Sequence, residues 1–395
     1  MKTAYLFNLS KTLCYSKYNL ISYNSNFYNN IKQLSENNYK IFIIILRRQG
    51  ILPIVYKNLQ FIYKQTQKKE LQDLIDILKP HYLNISKKNI LLSSELIYLS
   101  KILNKNNIKF ISFKGPTLSK IAYGDITIRQ YSDLDILIQK KDFIYIANVL
   151  ISKGFKPLYP IDTFIDNKVM FEMNNDCPFY DSKRGISIEV HWDFFRKLAL
   201  NTKKFKPWQN IQTININNYN LYILQNETYL VYHTLHASKH IWERLEWIVD
   251  VDRFIRAIPT LDWDKMINMA KELGALKMFL LGIYLSKHYF DTPIPKYIDN
   301  LCKKTNLHNI PAFIEEEFHE DNPSPEDSLT KLIKVIQLRD NLYYKTLTIL
   351  EFIFKPGINE RRMIILSDKW FWLYWIIRPF GISYRFIKNR IFNYV

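Results

Sequence analysis

Asp133 and Asp135 stand one residue apart in the stretch YSDLDILIQ, and the apolar run Ile136, Leu137, Ile138 follows at once. Residues two apart on a strand point to one side. A strand over 134–139 therefore carries both carboxylates on one face while Leu134 and Ile136 turn into the core. Two like charges so close repel unless a cation lies between them, and oxygen-only ligands favour Mg²⁺ or Mn²⁺. The segment ISIEVHW adds Glu189, with Ile188 and Val190 directed the other way, and a third carboxylate on an adjacent strand would complete a two-metal site. Taken alone, the aspartate pair also fits a solvated acidic turn. His191 shares the face of Glu189 and is either a site residue or a hydrogen-bonded structural histidine. Upstream, FKGPT puts Gly115 where backbone must approach something closely. The helix N-terminus at Thr117 then offers free N–H groups to phosphate.

The elements that must hold these residues are legible from period and punctuation. Residues 27–107 show three- and four-residue apolar spacing, with Pro53 and Pro80 dividing the helices. The period then changes: strand at 108–113, short helix at 117–124 stopped by Gly124, strand at 134–139, amphipathic helix at 141–155 with Gly154 after its end. Two further strands are expected at 168–173 and 185–193, joined by a polar turn over 174–184. This strand–helix–strand–helix–strand unit makes a small α/β or α+β domain. Helices return beyond 225, as one long or two abutting helices over 227–258 and another stretch over 263–290. The acidic segment 315–327 reads as an exposed loop. The expected class is α+β, a small mixed sheet (107–222) embedded between an N-terminal helical region (1–106) and a C-terminal helical domain with a basic aromatic tail (223–395).

Bulk properties bound the partners. Hydrophobic residues make up 48% and glycines number only 9, which excludes disordered and fibrous classes. Fifty-five basic residues against 37 acidic give a formal charge of +18. That balance fits a polyanionic partner, or equally the lysine enrichment of an AT-rich coding sequence. Cys14, Cys177 and Cys302 are isolated and odd in number, so no disulfide framework follows and a reducing cytoplasm is expected. The first twenty residues lack a signal-peptide pattern, and no apolar run reaches membrane-spanning length.

The block FKGPTLSKIAYGDITIRQYSDLDILI resembles the DNA polymerase β-type nucleotidyltransferase superfamily, and within it a family of uncharacterised bacterial nucleotidyltransferases. The family's Lys-Gly falls on Lys114-Gly115 and its Tyr-Gly-Asp-like step on Tyr123-Gly124-Asp125. Its arginine falls on Arg129, and its Asp-x-Asp on Asp133 and Asp135. The acid–His–Trp strand falls on Glu189, His191 and Trp192, and the later helical block on His236, Lys239-His240, Trp247 and Asp250. The chain departs from the superfamily at Gly115-Pro116, where Gly-Ser is usual; Thr117 would substitute, or Lys114 and Arg129 would carry the load. The resemblance implies in-line transfer of a nucleoside monophosphate from a nucleoside triphosphate, ATP favoured, with pyrophosphate released. Asp133, Asp135 and Glu189 would hold Mg²⁺ or Mn²⁺, and Lys114, Gly115, Thr117, Arg129, His191 and Lys239 would bind nucleotide and phosphate. The acceptor it leaves open is RNA, a peptide or protein, or a small molecule. Phosphoryl transfer to a peptide and a catalytically inactive nucleotide- or RNA-binding protein are the alternatives.

Bland readings stand beside several of these. Arg129 could instead pair with Asp125 or Asp133. His233, His236 and His240 share a helical face at metal-compatible spacing, but packing or cleft lining is favoured over zinc. Trp370, Trp372, Trp375 and Phe380, with the basic residues around them, could touch an anionic membrane or nucleic acid. A subdomain core is the favoured role.

Overall fold

The computed structural model describes residues 2–15, 31, 34, 36–161, 169–195, 199–305, 307, 314–316, 318 and 329–392. A five-stranded mixed sheet, order β1-β2-β5-β4-β3, holds β1 (Ile111–Ser112), β2 (Asp133–Leu137), β3 (Lys156–Pro157), β4 (Asp176–Asp181) and β5 (Ile186–His191). β2 and β5 run parallel and the other pairings are antiparallel. A separate hairpin joins β6 (Ile211–Ile216) to β7 (Tyr219–Leu224) through Asn217 and Asn218, both with positive φ, as a tight hairpin turn requires.

Helices surround the sheet. Before it come α1 (Lys2–Thr12), α2 (Glu36–Arg48), α3 (Leu52–Thr66) and the 37-residue α4 (Lys69–Lys105). Within the sheet unit lie α5 (Gly115–Tyr123) and α6 (Phe143–Ser152). After it follow α7 (Asn226–Lys239), α8 (Leu245–Ala257), α9 (Trp263–Leu273), α10 (Leu276–Phe290) and α11 (Lys296–Lys304). The last are α12 (Leu329–Gln337), α13 (Leu342–Phe354), α14 (Ile358–Met363) and α15 (Leu373–Phe392). Among the described residues no helix is long and apolar enough to cross a membrane. The α+β class and the helical flanks match the expectation.

Two large apolar cores result, with a small third cluster of Met173 and Tyr374. One packs α1–α3 with α7–α11. The other fills the sheet unit with Phe143, Phe179, Ile188 and Val190. α4 belongs to both: Leu71, Leu74 and Leu78 enter the first, Leu92, Leu96 and Leu103 the second.

Five local expectations need correction. Pro80 does not end a helix; α4 runs through it because the proline sits on the exposed side, where the freed carbonyl meets water, while Leu78 and Tyr82 are buried on either side of it. Val169–Met173 is a helical turn, not a strand. The polar turn at 174–184 contains β4, whose inward Cys177, Phe179 and Asp181 alternate with outward Asp176, Pro178 and Tyr180. The stretch 263–290 is two helices, split at Gly274 with φ +70. Finally, Trp370, Trp372 and Phe380 are 53%, 54% and 72% exposed, so they are not a core. The buried face of α15 is taken by Tyr374 and by Arg378, which donates to Glu360 at 2.9 Å, and that leaves the other aromatics outward. Most of the segment 315–327 lies outside the described residues.

Candidate active site

The parallel pair β2–β5 sets Asp135 directly beside Glu189, and β4 sets Asp176 opposite His191. Alternation holds on β5: Ile186, Ile188 and Val190 are buried, while Ser187, Glu189 and His191 face the cleft. Asp135 Oδ1 lies 3.1 Å from Lys114 Nζ and 3.3 Å from His191 Nε2. The same Nε2 is 3.3 Å from Glu189 Oε2, and His191 Nδ1 is 3.9 Å from Asp176 Oδ2. His191 Nε2 is buried and aligned as a hydrogen bond with neither carboxylate.

Four carboxylates, Asp133, Asp135, Asp176 and Glu189, thus face two cations, Lys114 and His191. Burial, then the charges of Asp135 and Glu189, push the Asp133 carboxyl up to about 7. Asp135 is also penalised by burial, but Lys114 and His191 outweigh this and hold it below the ordinary carboxylate range. Burial opposes the charge on Lys114 and on His191 too; Asp135 chiefly reverses it, raising Lys114 and bringing His191 to about 9.

The donor set fits a divalent cation. Ligand atoms of Asp135, Glu189 and His191 lie within 4.8 Å of one another, and among the described residues this is the cluster of that kind. Asp133 stands beside it rather than in it. Its pKa is raised first by burial and then by the charges of Asp135 and Glu189, which Lys114 and Arg129 only partly counter.

Gly115 sits between these groups at φ +53, and a Cβ there would come 3.4 Å from the Asp133 carbonyl oxygen. α5 starts at Gly115, two residues before the expected start, with Pro116 in its first turn. The Thr117 hydroxyl is buried, donates to the Lys114 carbonyl at 2.8 Å and contacts Ser112 Oγ at 3.2 Å. It shapes the turn locally.

Arg129 is 7% exposed and donates from Nε to Asp250 Oδ2 at 2.9 Å, with Glu246 Oε1 at 3.8 Å from its Nη2. Its partners are therefore on α8 and not Asp125 or Asp133. Tyr123 donates to the other Asp250 oxygen at 2.7 Å, and Asn89 of α4 donates to the Arg129 carbonyl at 2.7 Å. His233 is buried against the Trp247 carbonyl, and burial lowers its pKa to about 4. His236 meets the Trp247 ring edge-on and His240 meets it at a tilt, at the cleft wall. Between α7 and α8, Ile241 and Trp242 both take positive φ; the strain is held by Trp242, fully buried, with its indole N–H on Ser238 Oγ at 3.0 Å.

The carboxylates stand where two cavities meet. One, of about 400 Å³, is basic: Arg47, Lys88, Lys114, Arg129 and Arg244 line it together with Asp133 and Asp135. The other, of about 620 Å³, shares Lys114, Asp133 and Asp135 and adds Glu189, His191 and Asp176; Lys239 is on its wall. Arg47, Lys88, Arg244 and Asp176 escaped sequence reasoning. Only Asp176 had a signal, the alternation of DCPFYD.

Residues 35–291 match the profile of a family described as uncharacterised nucleotidyltransferases, well over half of the 395-residue chain. The chain belongs to that family. Membership supports nucleotidyl transfer in general terms, with a nucleoside triphosphate as substrate. No curated protein matches this family member. Among solved structures, the crystal structure of an antigenic nucleotidyltransferase-like protein from Paracoccidioides brasiliensis is similar at 15% identity, covering 51% of this chain and 93% of its own, with a TM-score of 0.35.

Proposed function

We propose that the chain transfers a nucleoside monophosphate from a nucleoside triphosphate, ATP first among them, to a hydroxyl or phosphate acceptor. The observation carrying this reading is that Asp133 and Asp135 line both a basic cavity and a larger mixed one, which adds Asp176 and Glu189. Two cavities sharing one reactive wall suit a donor and an acceptor that meet there. The basic cavity suits the triphosphate: Arg47, Lys88 and Arg244 offset its charge, with Lys114 and Arg129 beside the aspartates. The larger cavity, holding Glu189, suits the acceptor.

Asp135 and Glu189 from the cluster with His191, joined by Asp133 beside them, would hold Mg²⁺ or Mn²⁺, which when bound supplies charge stabilisation at the phosphate and a lowered pKa at the acceptor hydroxyl. Glu189, 34% exposed and facing the cleft, accepts the acceptor's proton. The acceptor oxygen bonds to the α-phosphorus, the bond to the bridging oxygen breaks, and pyrophosphate leaves. Lys114 moves from its ion pair with Asp135 toward the phosphate, and His191 keeps the remaining carboxylate charge in balance.

The test is pyrophosphate release from each labelled nucleoside triphosphate with Mg²⁺ or Mn²⁺ and candidate acceptors, by wild type, Asp133→Asn and Asp135→Asn. Each substitution is expected to lower the rate by about 10³-fold, the loss of several kcal/mol of charge stabilisation. Equal release by all three proteins would end the enzymatic reading.

A further inference from the structure

The larger cavity has a second feature far along the chain from the carboxylates. Arg339, in the turn between α12 and α13, lines its wall and is 7% exposed. Its Nε has no hydrogen-bond partner, and among the described residues its one polar contact is a weak one, from Nη1 to the thioether of Met278 at 3.6 Å. Among the described residues no carboxylate pairs with it, although Glu351 and Asp340 lie close enough to favour its charge. The nearest, Asp340 and Glu351, are committed elsewhere. Asp340 accepts from the backbone N–H groups of Leu276 and Lys277 at 2.8 and 2.6 Å, capping α10. Glu351 accepts from the Ala199 N–H at 2.8 Å and faces Lys355 at 3.5 Å. Burial accordingly drags the guanidinium down to about 10.

A buried guanidinium whose neighbouring carboxylates are hydrogen-bonded to other groups is costly. Nearby Lys331, on α12, is 8% exposed and lines the same cavity, with Glu243 at 3.6 Å. Both cations lie outside residues 35–291, the span matched by the family profile. The segment that builds this end of the cavity is therefore particular to the chain's C-terminal part, whereas the carboxylates belong to the matched span.

We propose that Arg339, supported by Lys331, forms an oxyanion subsite in the acceptor cavity, so that the acceptor is a small molecule carrying a phosphate or carboxylate group as well as its reacting group. A planar guanidinium with free N–H donors is suited to bidentate binding of such a group. A cavity of about 620 Å³ is of the size that encloses a small molecule. The assignment of this cavity to the acceptor rests on the proposed nucleotidyl transfer; the anion site itself does not.

Two measurements on the full chain separate these. The first is anomalous diffraction from crystals soaked in sodium tungstate. Wild type is expected to show tungstate within hydrogen-bonding distance of the Arg339 guanidinium, Arg339→Met to lose it and Arg339→Lys to weaken it. Peaks elsewhere only, or a peak that survives in Arg339→Met, overturn the subsite. Arg339→Met should also hold or raise its thermal midpoint, since it removes a buried charge without a partner; a fall of many degrees would make Arg339 structural and overturn the proposal. The second compares transfer to pairs of small hydroxyl compounds differing only in one phosphate group. Wild type is expected to prefer the phosphorylated member by about tenfold or more in kcat/KM, and Arg339→Met to bring the ratio near one. An unchanged ratio in the variant counts against the acceptor role. If no compound accepts a nucleotide, nucleotidyl transfer fails and the tungstate result alone decides the subsite.

Discussion

Two groups of buried charges lie side by side in this chain, and they are built on opposite principles. Around Arg129 the charges are matched, two cations to two carboxylates: Arg129 has Asp250 at 2.9 Å and Glu246 at 3.8 Å, Arg244 lies 3.1 Å from Glu246, and the Tyr123 hydroxyl donates to Asp250 at 2.7 Å, which ties α5, α8 and the segment leading to β2 into one unit. On β2, β4 and β5 the charges are not matched, and four carboxylates face Lys114 and His191. Matched buried charge fixes geometry, because removing either partner strands the other. Unmatched carboxylates are what the proposed divalent cation would offset.

Breaking the matched group should give the largest effect on folding. Asp250→Leu leaves Arg129 and Tyr123 without their shared acceptor and is expected to cost about 3–5 kcal/mol, read as a lowered denaturation midpoint. Asp133→Asn in the unmatched group should do the reverse, holding or raising stability near neutral pH while activity is lost. A large destabilisation by Asp133→Asn would erase the distinction between the two groups.

Next comes a dependence on pH. The Asp133 carboxyl is raised in the folded state to about 7, so its protonated form favours folding. That stability is fully present below the ordinary carboxylate value and is withdrawn as pH rises through about 7. His191 is raised to about 9, so its contribution is full below the ordinary imidazole value and is withdrawn as pH climbs from there to about 9, a window that follows that of Asp133. Mg²⁺ or Mn²⁺ must compete with the Asp133 proton. Either ion should therefore raise the thermal midpoint by a few degrees at about pH 8 and hardly at all at about pH 5. Scanning calorimetry of wild type and Asp133→Asn checks this, since the variant should lose most of the pH dependence. An equal midpoint gain at both pH values would show that the cation binds elsewhere.

The smallest effect is expected at the hinge between the groups. Gly115→Ala forces a Cβ into a positive-φ position close to the Asp133 carbonyl, costing about 1 kcal/mol or slightly more. If the turn meets phosphate as proposed, it should suffer more than the fold, so KM for the nucleotide should rise by more than the midpoint falls.

The shared face of the unmatched group was legible in the sequence; of the matched group, the family resemblance named Tyr123, Arg129 and Asp250 but not their pairing. Period-two spacing is local, so Asp133, Asp135 and Glu189 declared their shared face before any tertiary contact was known. The partner of Arg129 lies 121 residues away, and nothing local distinguishes Asp250 from other helical acids. β4 was hidden because Pro178 and the flanking Asn174 and Asn175 read as turn residues, although the sheet accepts the proline as an outward-facing position beside Glu189. The β6–β7 hairpin did carry a signal, two asparagines between apolar residues, that the expected sheet left unused. The tail aromatics misled because hydrophobicity alone does not say which face of α15 is covered; Glu360 decided that by drawing Arg378 inward.

α4 has a consequence for how this chain can change length. Its 37 residues extend about 55 Å, and the Leu78 end is locked to one core and the Leu92 end to the other. Between them His81, Asn84, Ile85 and Lys88 face the basic cavity. One residue inserted between Tyr82 and Leu92 would turn one half of the helix about 100° against the other. Whichever core kept its grip, the other would receive the wrong face, and Lys88 would leave the cavity wall. Seven residues, nearly two whole turns, would restore the phase to within about 20° while moving the two cores about 10 Å apart. The helix therefore sets angular register between the two cores, and length variation should be tolerated in the loops before it is tolerated there.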